Sequence, residues 1–424
     1  MEKTDSRYTA FVEILKQELL PAMGCTEPIA VAYCGALAKK TLGQEPDRVE
    51  IQVSGNIIKN VKSVIVPNTG GMKGIPAAAA AGIVAGDPEL ALEVISNVTQ
   101  GDKEKIAAFL EQTPMGVAPL EDGDLLDIII TLYAGEQYAK VRIAHSHTNI
   151  VLVEKNGEIL LDNPLAAEEG DVAVENPLTV EAIYDFAETV DLKDVSAVIG
   201  RQIAYNGAIS QEGLRNPWGA NIGSVILSAY GNDIKQRAKA AAAAGSDARM
   251  SGCELPVVVN SGSGNQGMTV SLPVMEYAKE LGSSEEQLYR ALVLSNLLAI
   301  HQKKGIGCLS AYCGAISAGA AAGCGIAYLQ GGDLKVINHT LVNALAIASG
   351  VVCDGAKPSC AAKIAIAVDA GIMGYEMYLQ GQQFRGGEGI VSKGVENTIR
   401  NVGRLGAEGM RETDKEIIRI MTGC

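Results

Sequence analysis

Residues 306–332, IGCLSAYCGAISAGAAAGCGIAYLQGG, form an uncharged run of 27 residues. Such length and lack of charge invite a transmembrane reading. The composition argues otherwise. Gly, Ala, Ser and Cys dominate, Leu and Ile are few and Phe is missing, so transfer into lipid gains little. The stretch reads instead as a helix buried in a protein core. The rest of the chain has the same texture: 48 glycines, one tryptophan and only 4% aromatic residues among 424. The core must be aliphatic and Ala-rich, with helices packed closely on small residues. At 47% hydrophobic and 20% charged, the chain can bury a large core and more than one domain.

The net charge of −14 disfavours nucleic acid and anionic membrane as partners. The N-terminus, Met1-Glu-Lys-Thr-Asp-Ser-Arg7, lacks the basic, apolar and small-residue succession of a signal peptide. With nine cysteines, an odd number, spread along a long chain, a reducing cytoplasm is the expected compartment.

An amphipathic helix is expected over 8–20, a turn over 21–27 and a helix from Pro28 to Leu42 that ends at Gly43. Val49, Ile51 and Val53 alternate as a strand, and 61–66 reads as a second. The loop Pro67-Asn-Thr-Gly-Gly-Met-Lys-Gly-Ile-Pro76 leads into an alanine helix, with helices to about Leu110. Strands return over 125–162, and Asn156-Gly157 marks a hairpin. From 178 onward helices are expected at 178–190, 195–214, 222–244, 268–281, 284–303, 309–329, 334–351 and 360–380, with Ser284 and Asp333 as N-caps. The polar, Gly-rich segment 382–409 reads as irregular. The fold class is therefore α+β: a large all-helical catalytic domain plus an inserted α+β domain with a small sheet. The expected divisions are 1–44 (helices packing on the catalytic domain), 45–175 (α+β) and 176–424 (helical).

Chemistry concentrates on cysteine. Cys353 and Cys360 flank a turn containing Gly355 and Pro358, and Cys313 lies in the uncharged run. Thiols on apolar, close-packed elements suit an iron–sulfur cluster better than a disulfide. Buried inert cysteine is the plain alternative. Cys25 precedes a helix N-terminus, where the dipole favours a thiolate, and Thr26 or Glu27 is the candidate cap. Cys34, Cys253, Cys308, Cys324 and Cys424 read as packing or surface residues, with Cys253 and Cys308 as reserve ligands.

Two loops, Gly71-Met-Lys-Gly74 and Gly264-Asn-Gln-Gly267, share a G-x-x-G core ahead of helices. The second belongs to Ser261-Gly-Ser-Gly-Asn-Gln-Gly267, whose backbone N–H groups suit a phosphate or a carboxylate. A pyridoxal phosphate enzyme, with Lys73 or Lys304 as its Schiff-base lysine, is thus a rival. Neither loop has P-loop or dinucleotide spacing. His145-Ser-His147 sits in the strand region with no third metal ligand nearby and reads as structural. His301, near a helix end, reads as a dipole partner.

Taken together, PAMGCTEP, VPNTGGMKGIPAAAAAG, NSGSGNQG, AYCGAISAG and CDGAKPSC resemble the L-cysteine desulfidase family, a serine-dehydratase-like group, over nearly the whole chain. The C-terminal half resembles, more distantly, the catalytic domain of iron–sulfur L-serine dehydratases. The resemblance implies a [4Fe–4S] cluster and conversion of L-cysteine and water to hydrogen sulfide, ammonia and pyruvate. By motif, Cys25, Cys313 and Cys353 match cluster cysteines, and Cys360 matches a further ligand by analogy with the dehydratases. That makes four thiols where an open site wants three, so Cys25 is either a displaceable ligand or a base.

In this reading the substrate is a small amino acid. Ser261, Ser263, Gly264 and Asn265 are expected to cradle its carboxylate, and Asn68, Thr69 and Lys73 to complete the pocket. Lys73 or Cys25 is the expected general base. L-serine dehydratase activity is the first rival, and a cluster-based redox sensor is the non-enzymatic one. Self-association into a homo-oligomer is left open.

Overall fold

The computed structural model describes residues 1–121, 123–163, 177–307 and 309–423. Cys308 and Cys424 lie outside the described residues, as does the 164–176 portion of the expected α+β domain. The fold is α+β. Eight strands occur in the described residues: β1 Pro21–Met23, β2 Arg48–Val53, β3 Met115–Pro119, β4 Asp127–Ala134, β5 Gln137–Ala144, β6 Ile150–Lys155, β7 Glu158–Asp162 and β8 Pro256–Val258. Six of them form one sheet in the order β3-β2-β4-β5-β6-β7. Only β2–β3 is parallel. Along β2, Val49, Ile51 and Val53 are buried while their neighbours are exposed, as period-two alternation requires. The β6–β7 hairpin turns at Asn156 (φ 51°) and Gly157 (φ 84°), both in the left-handed region that a tight hairpin needs.

The sheet packs on the helix Thr26–Leu42, where Cys34 Sγ lies 3.4 Å from the Val141 carbonyl oxygen. On its other side this helix meets Gly74–Ala85. A Cβ on Gly82 would overlap the backbone carbonyl of Ala32, so the two helix backbones are in contact. The helix is buried nearly all round, and its charged residues gather at its ends.

Residues 314–329 of the uncharged run form a buried helix, Gly314–Leu329, which starts later than the expected 309. It packs on Cys360–Leu379, Glu285–Ile306 and Gly264–Leu281. Gly319 and Gly323 face Ala367 and Gly371 so closely that any added side chain would overlap the opposing backbone. Among the described residues no helix is long and apolar enough to cross a membrane.

Several local expectations need correction. Residues 61–66 are not a strand. The helix Gly55–Val61 starts after Ser54 and buries Ile57 and Val61 at helical spacing, and only the isolated bridge Ile65↔Lys73 follows. The expected helix 222–244 is two, Ile222–Tyr230 and Ile234–Met250, broken at Gly231 (φ 94°) and restarted by the Asp233 cap. Part of the segment expected to be irregular is the helix Val395–Arg404, which buries Thr398, Ile399 and Val402 on one stripe. Strand β5 stops at Ala144, so His145 (φ 67°) and His147 lie in a turn. Ser284 and Asp333 do cap their helices.

Candidate active site

Strands β1 and β8 pair antiparallel, with Pro21 opposite Val258 and Met23 opposite Pro256. The pairing sets the segment leading to Cys25 beside the segment leading to the Ser261–Gly267 loop. Gly24 (φ 67°) turns the chain between them, and a Cβ there would lie 2.7 Å from Pro67 Cγ. A second crossing joins the other cysteines. Cys313 N–H donates to the Val351 carbonyl (3.2 Å), and Cys353 N–H donates to that of Ala311 (2.6 Å). Cys25 and Cys313 are N-cap residues, and Cys360 is the first residue of its helix. Three of the four thiols thus sit where the helix dipole favours a thiolate.

These placements converge. Cys25, Cys313, Cys353 and Cys360 all line one cavity of about 110 Å³. A single water needs about 10–15 Å³, so room for several remains. Burial, then the nearby Cys353 and Cys360, push the Cys313 thiol up to about 12. Cys360 is raised by burial, and Cys25 by burial and by the Glu27 carboxylate. Crowded, desolvated thiols of this kind resist ionisation until a cation neutralises them.

Among the described residues no group of three or more His, Cys, Asp or Glu is arranged to hold a metal ion. A cluster makes a different demand, one thiolate per iron corner instead of convergence on one point. Four thiols line this one cavity, three of them at helix N-termini. That donor set fits an iron–sulfur cluster.

Glu27 and His147 occupy the wall beside Cys25. Cys25 Sγ donates to Glu27 Oε2 at 3.2 Å, and Asn60 Nδ2 donates to Oε1 at 3.1 Å. His147 Nε2 stands 3.9 Å from Glu27 Oε1, too far for a hydrogen bond, and has no hydrogen-bond partner among the described residues. Burial opposes the Glu27 carboxylate, yet His147 and the Cys25 thiol outweigh it and bring its pKa down to about 2. Buried Arg249, also on the cavity lining, donates through Nε to the Gly24 carbonyl (2.9 Å). Its Nη2 has no hydrogen-bond partner among the described residues. Lys59, also on the wall, is ion-paired at 2.5 Å with Asp414 of the helix Arg411–Thr422.

Of the expected substrate-binding residues, Ser261, Ser263 and Asn265 line this cavity. Gly264 lies behind it, where a Cβ would overlap the Arg249 guanidinium. Asn68, Thr69 and Lys73 do not line it. Asn68 Nδ2 donates to the Ile95 carbonyl at 2.8 Å, and Thr69 Oγ1 to that of Val66 at 2.7 Å. Both hold the 67–74 turn together behind Gly24. Lys73 is exposed, and Lys304, the other Schiff-base candidate, lies outside the cavity. His147, expected to be structural, lines the same cavity beside Glu27. Its strand-end position gave no periodic signal. Arg249 was missed because it closes an alanine-rich helix that reads as packing alone. His301 bonds Glu396 (2.8 Å) and ties two helices together, where a dipole contact was expected.

A family model described as the serine dehydratase alpha chain matches residues 89–419, and the chain belongs to this serine-dehydratase-like, lyase-type family. More narrowly, it groups with the UPF0597 proteins. A UPF0597 protein of Desulfitobacterium hafniense is 58% identical over 99% of this chain and 98% of the relative. Relatives from Lachnoclostridium phytofermentans (50%, covering 98% and 99%) and Treponema denticola (46%, covering 99% of each) carry the same description.

Proposed function

We propose that the chain is an L-cysteine desulfidase: L-cysteine and water give hydrogen sulfide, ammonia and pyruvate by β-elimination. The observation that carries this reading is the convergence of four thiols from distant segments on one cavity beside a buried guanidinium whose Nη2 has no hydrogen-bond partner among the described residues. Cys313, Cys353 and Cys360 would hold a [4Fe–4S] cluster, the cofactor typical of the serine dehydratase alpha-chain family. When bound, such a cluster supplies a Lewis-acidic iron for the departing sulfur.

The chain's own residues do the rest. The Ser261–Gln266 loop and Arg249 bind and orient the substrate. The neutral form of His147 accepts the Cα proton at Nε2, which has no hydrogen-bond partner among the described residues, and Glu27 stabilises the imidazolium that forms. Cys25, kept protonated by burial and by Glu27, is better suited to donate a proton than to remove one. The aminoacrylate product tautomerises and hydrolyses without further help.

The family match favours a second reading, L-serine dehydratase, with hydroxide leaving in place of sulfide. Anaerobically purified protein given L-cysteine and L-serine in parallel separates the two. The desulfidase reading expects stoichiometric sulfide and pyruvate from cysteine at the higher kcat/KM. Faster pyruvate release from serine would replace it with the dehydratase. An iron-free preparation inactive on both would sink either.

A further inference from the structure

Lys363 follows Cys360 by three residues, so the two side chains leave the same face of the helix Cys360–Leu379, and both line the cavity. Lys363 Nζ donates to the Val352 carbonyl at 2.9 Å and to Asp354 Oδ1, the residues on either side of Cys353. Val352 is in turn bridged to Tyr312, the neighbour of Cys313. One ammonium group, carried by the helix that begins at Cys360, therefore holds the crossing on which two other thiols sit. Lys357 Nζ joins the same carboxylate at 2.5 Å and donates to the Asp354 and Gly355 carbonyls at 3.0 and 3.1 Å. Among the described residues neither lysine pairs with any other carboxylate. Two ammonium groups against one carboxylate leave one positive charge over. Burial opposes ionisation of Cys313 and Cys360; Lys363 works against burial at both, and Lys357 at Cys360. The surplus charge thus stands where bound thiolates would bring negative charge.

We infer that Lys363 is a positioning residue for the cluster: it sets Cys353 against Cys360 through the Val352 carbonyl and, with Lys357 and Asp354, supplies a net positive charge that offsets the thiolates. The inference rests on the cluster reading of this cavity and adds to it a determinant outside the thiols. Groups that orient the ligand segments and set the charge around a cluster govern how firmly it is held and at what potential it is reduced. Asp354 is 38% exposed, so water screens part of this charge. A displaced potential is therefore expected from each charge change, with the cluster still assembled.

The test follows chelator-driven iron loss and the midpoint potential of the cluster in anaerobically purified full-length protein, with a melting curve for each variant. Lys363→Met removes both the carbonyl contact and the charge. Iron should leave about 10-fold faster, and the midpoint should fall because the reduced cluster loses a stabilising cation. Lys363→Arg keeps the charge, so its midpoint should stay near wild type. Asp354→Asn adds one net positive charge and should raise the midpoint. Wild-type rates of iron loss in Lys363→Met would overturn the inference. So would midpoints of Lys363→Met and Asp354→Asn that match wild type or move in the same direction. Should Lys363→Met fail to fold, Lys357→Met removes the same unit of charge without touching Val352, and its fall against the rise in Asp354→Asn decides. Iron-free wild-type protein would end the cluster reading and this inference together, whereas iron-loaded wild type with unresponsive variants ends this inference alone.

Discussion

His147 Nε2 stands 3.9 Å from Glu27 Oε1, and the two side chains come from opposite sides of the sheet–helix interface. His147 follows strand β5, whereas Glu27 lies in the first turn of the helix that β5 covers. The pair forms only when sheet and helix dock. Replacing His147 by Gln should lower kcat roughly 10²- to 10⁴-fold, the usual contribution of a general base, with iron content unchanged. Lys73→Ala, at an exposed position away from the thiols, should leave kcat near wild type. Steady-state pyruvate assays beside iron determination check both. Loss of activity in Lys73→Ala with a normal His147→Gln enzyme would reverse the assignment.

Lys59 and Asp414 are 355 residues apart and form a buried ion pair. Lys59→Met removes the partner of a carboxylate that is largely shielded from water. The cost should be about 3–5 kcal/mol in chemical denaturation, and Lys59→Met with Asp414→Leu should recover most of it. A single variant as stable as wild type would show that water reaches Asp414.

Asp247 accepts from the Gly223 N–H at 3.1 Å, and burial lifts its pKa from 3.8 to about 6 against that hydrogen bonding. A raised folded-state pKa means the native state holds the proton more tightly. The associated stability is present below about pH 4 and lost as pH climbs through about 6. Asp247→Asn should flatten this segment of the stability profile. Its advantage over wild type should grow from near zero at pH 4 to at most about 3 kcal/mol at pH 7. Denaturant midpoints measured across that range test the sign.

Gly355 (φ 92°) lies between Cys353 and Cys360, and any Cβ there would overlap the carbonyl oxygen of Lys59. Gly355→Ala should displace the loop and separate the thiols, lowering iron content more than overall stability. Iron quantification beside a melting curve distinguishes the two effects. Unchanged iron would show that the loop tolerates the shift.

The sequence disclosed features that are local. The alternation of Val49, Ile51 and Val53, the Asn156-Gly157 turn and the Ser284 and Asp333 caps each need only a few neighbours, and each is found. The uncharged run could be read as buried helix because its small side chains suit backbone contact and not lipid. What escaped notice depends on tertiary approach. Arg249 looked like the end of an alanine helix, and its exposure to a cavity follows from Gly264, fifteen residues later. His147 gains its neighbour Glu27 only across the interface. Asn68, Thr69 and Lys73 carried a glycine pattern shared with a true cavity loop, but in them that pattern serves a turn. Helix Val395–Arg404 was hidden by its polar composition, since only three residues in it are apolar.

The short β1–β8 ribbon has a temporal implication. It joins residue 21 to residue 258, and the remaining thiols arrive at 313, 353 and 360. A ribosome releasing the chain from its N-terminus must therefore deliver most of its length before the cavity has walls. Any inorganic cargo is received only once residue 360 has emerged, by a nearly finished molecule, and a chain cut short of that residue has nowhere to put it.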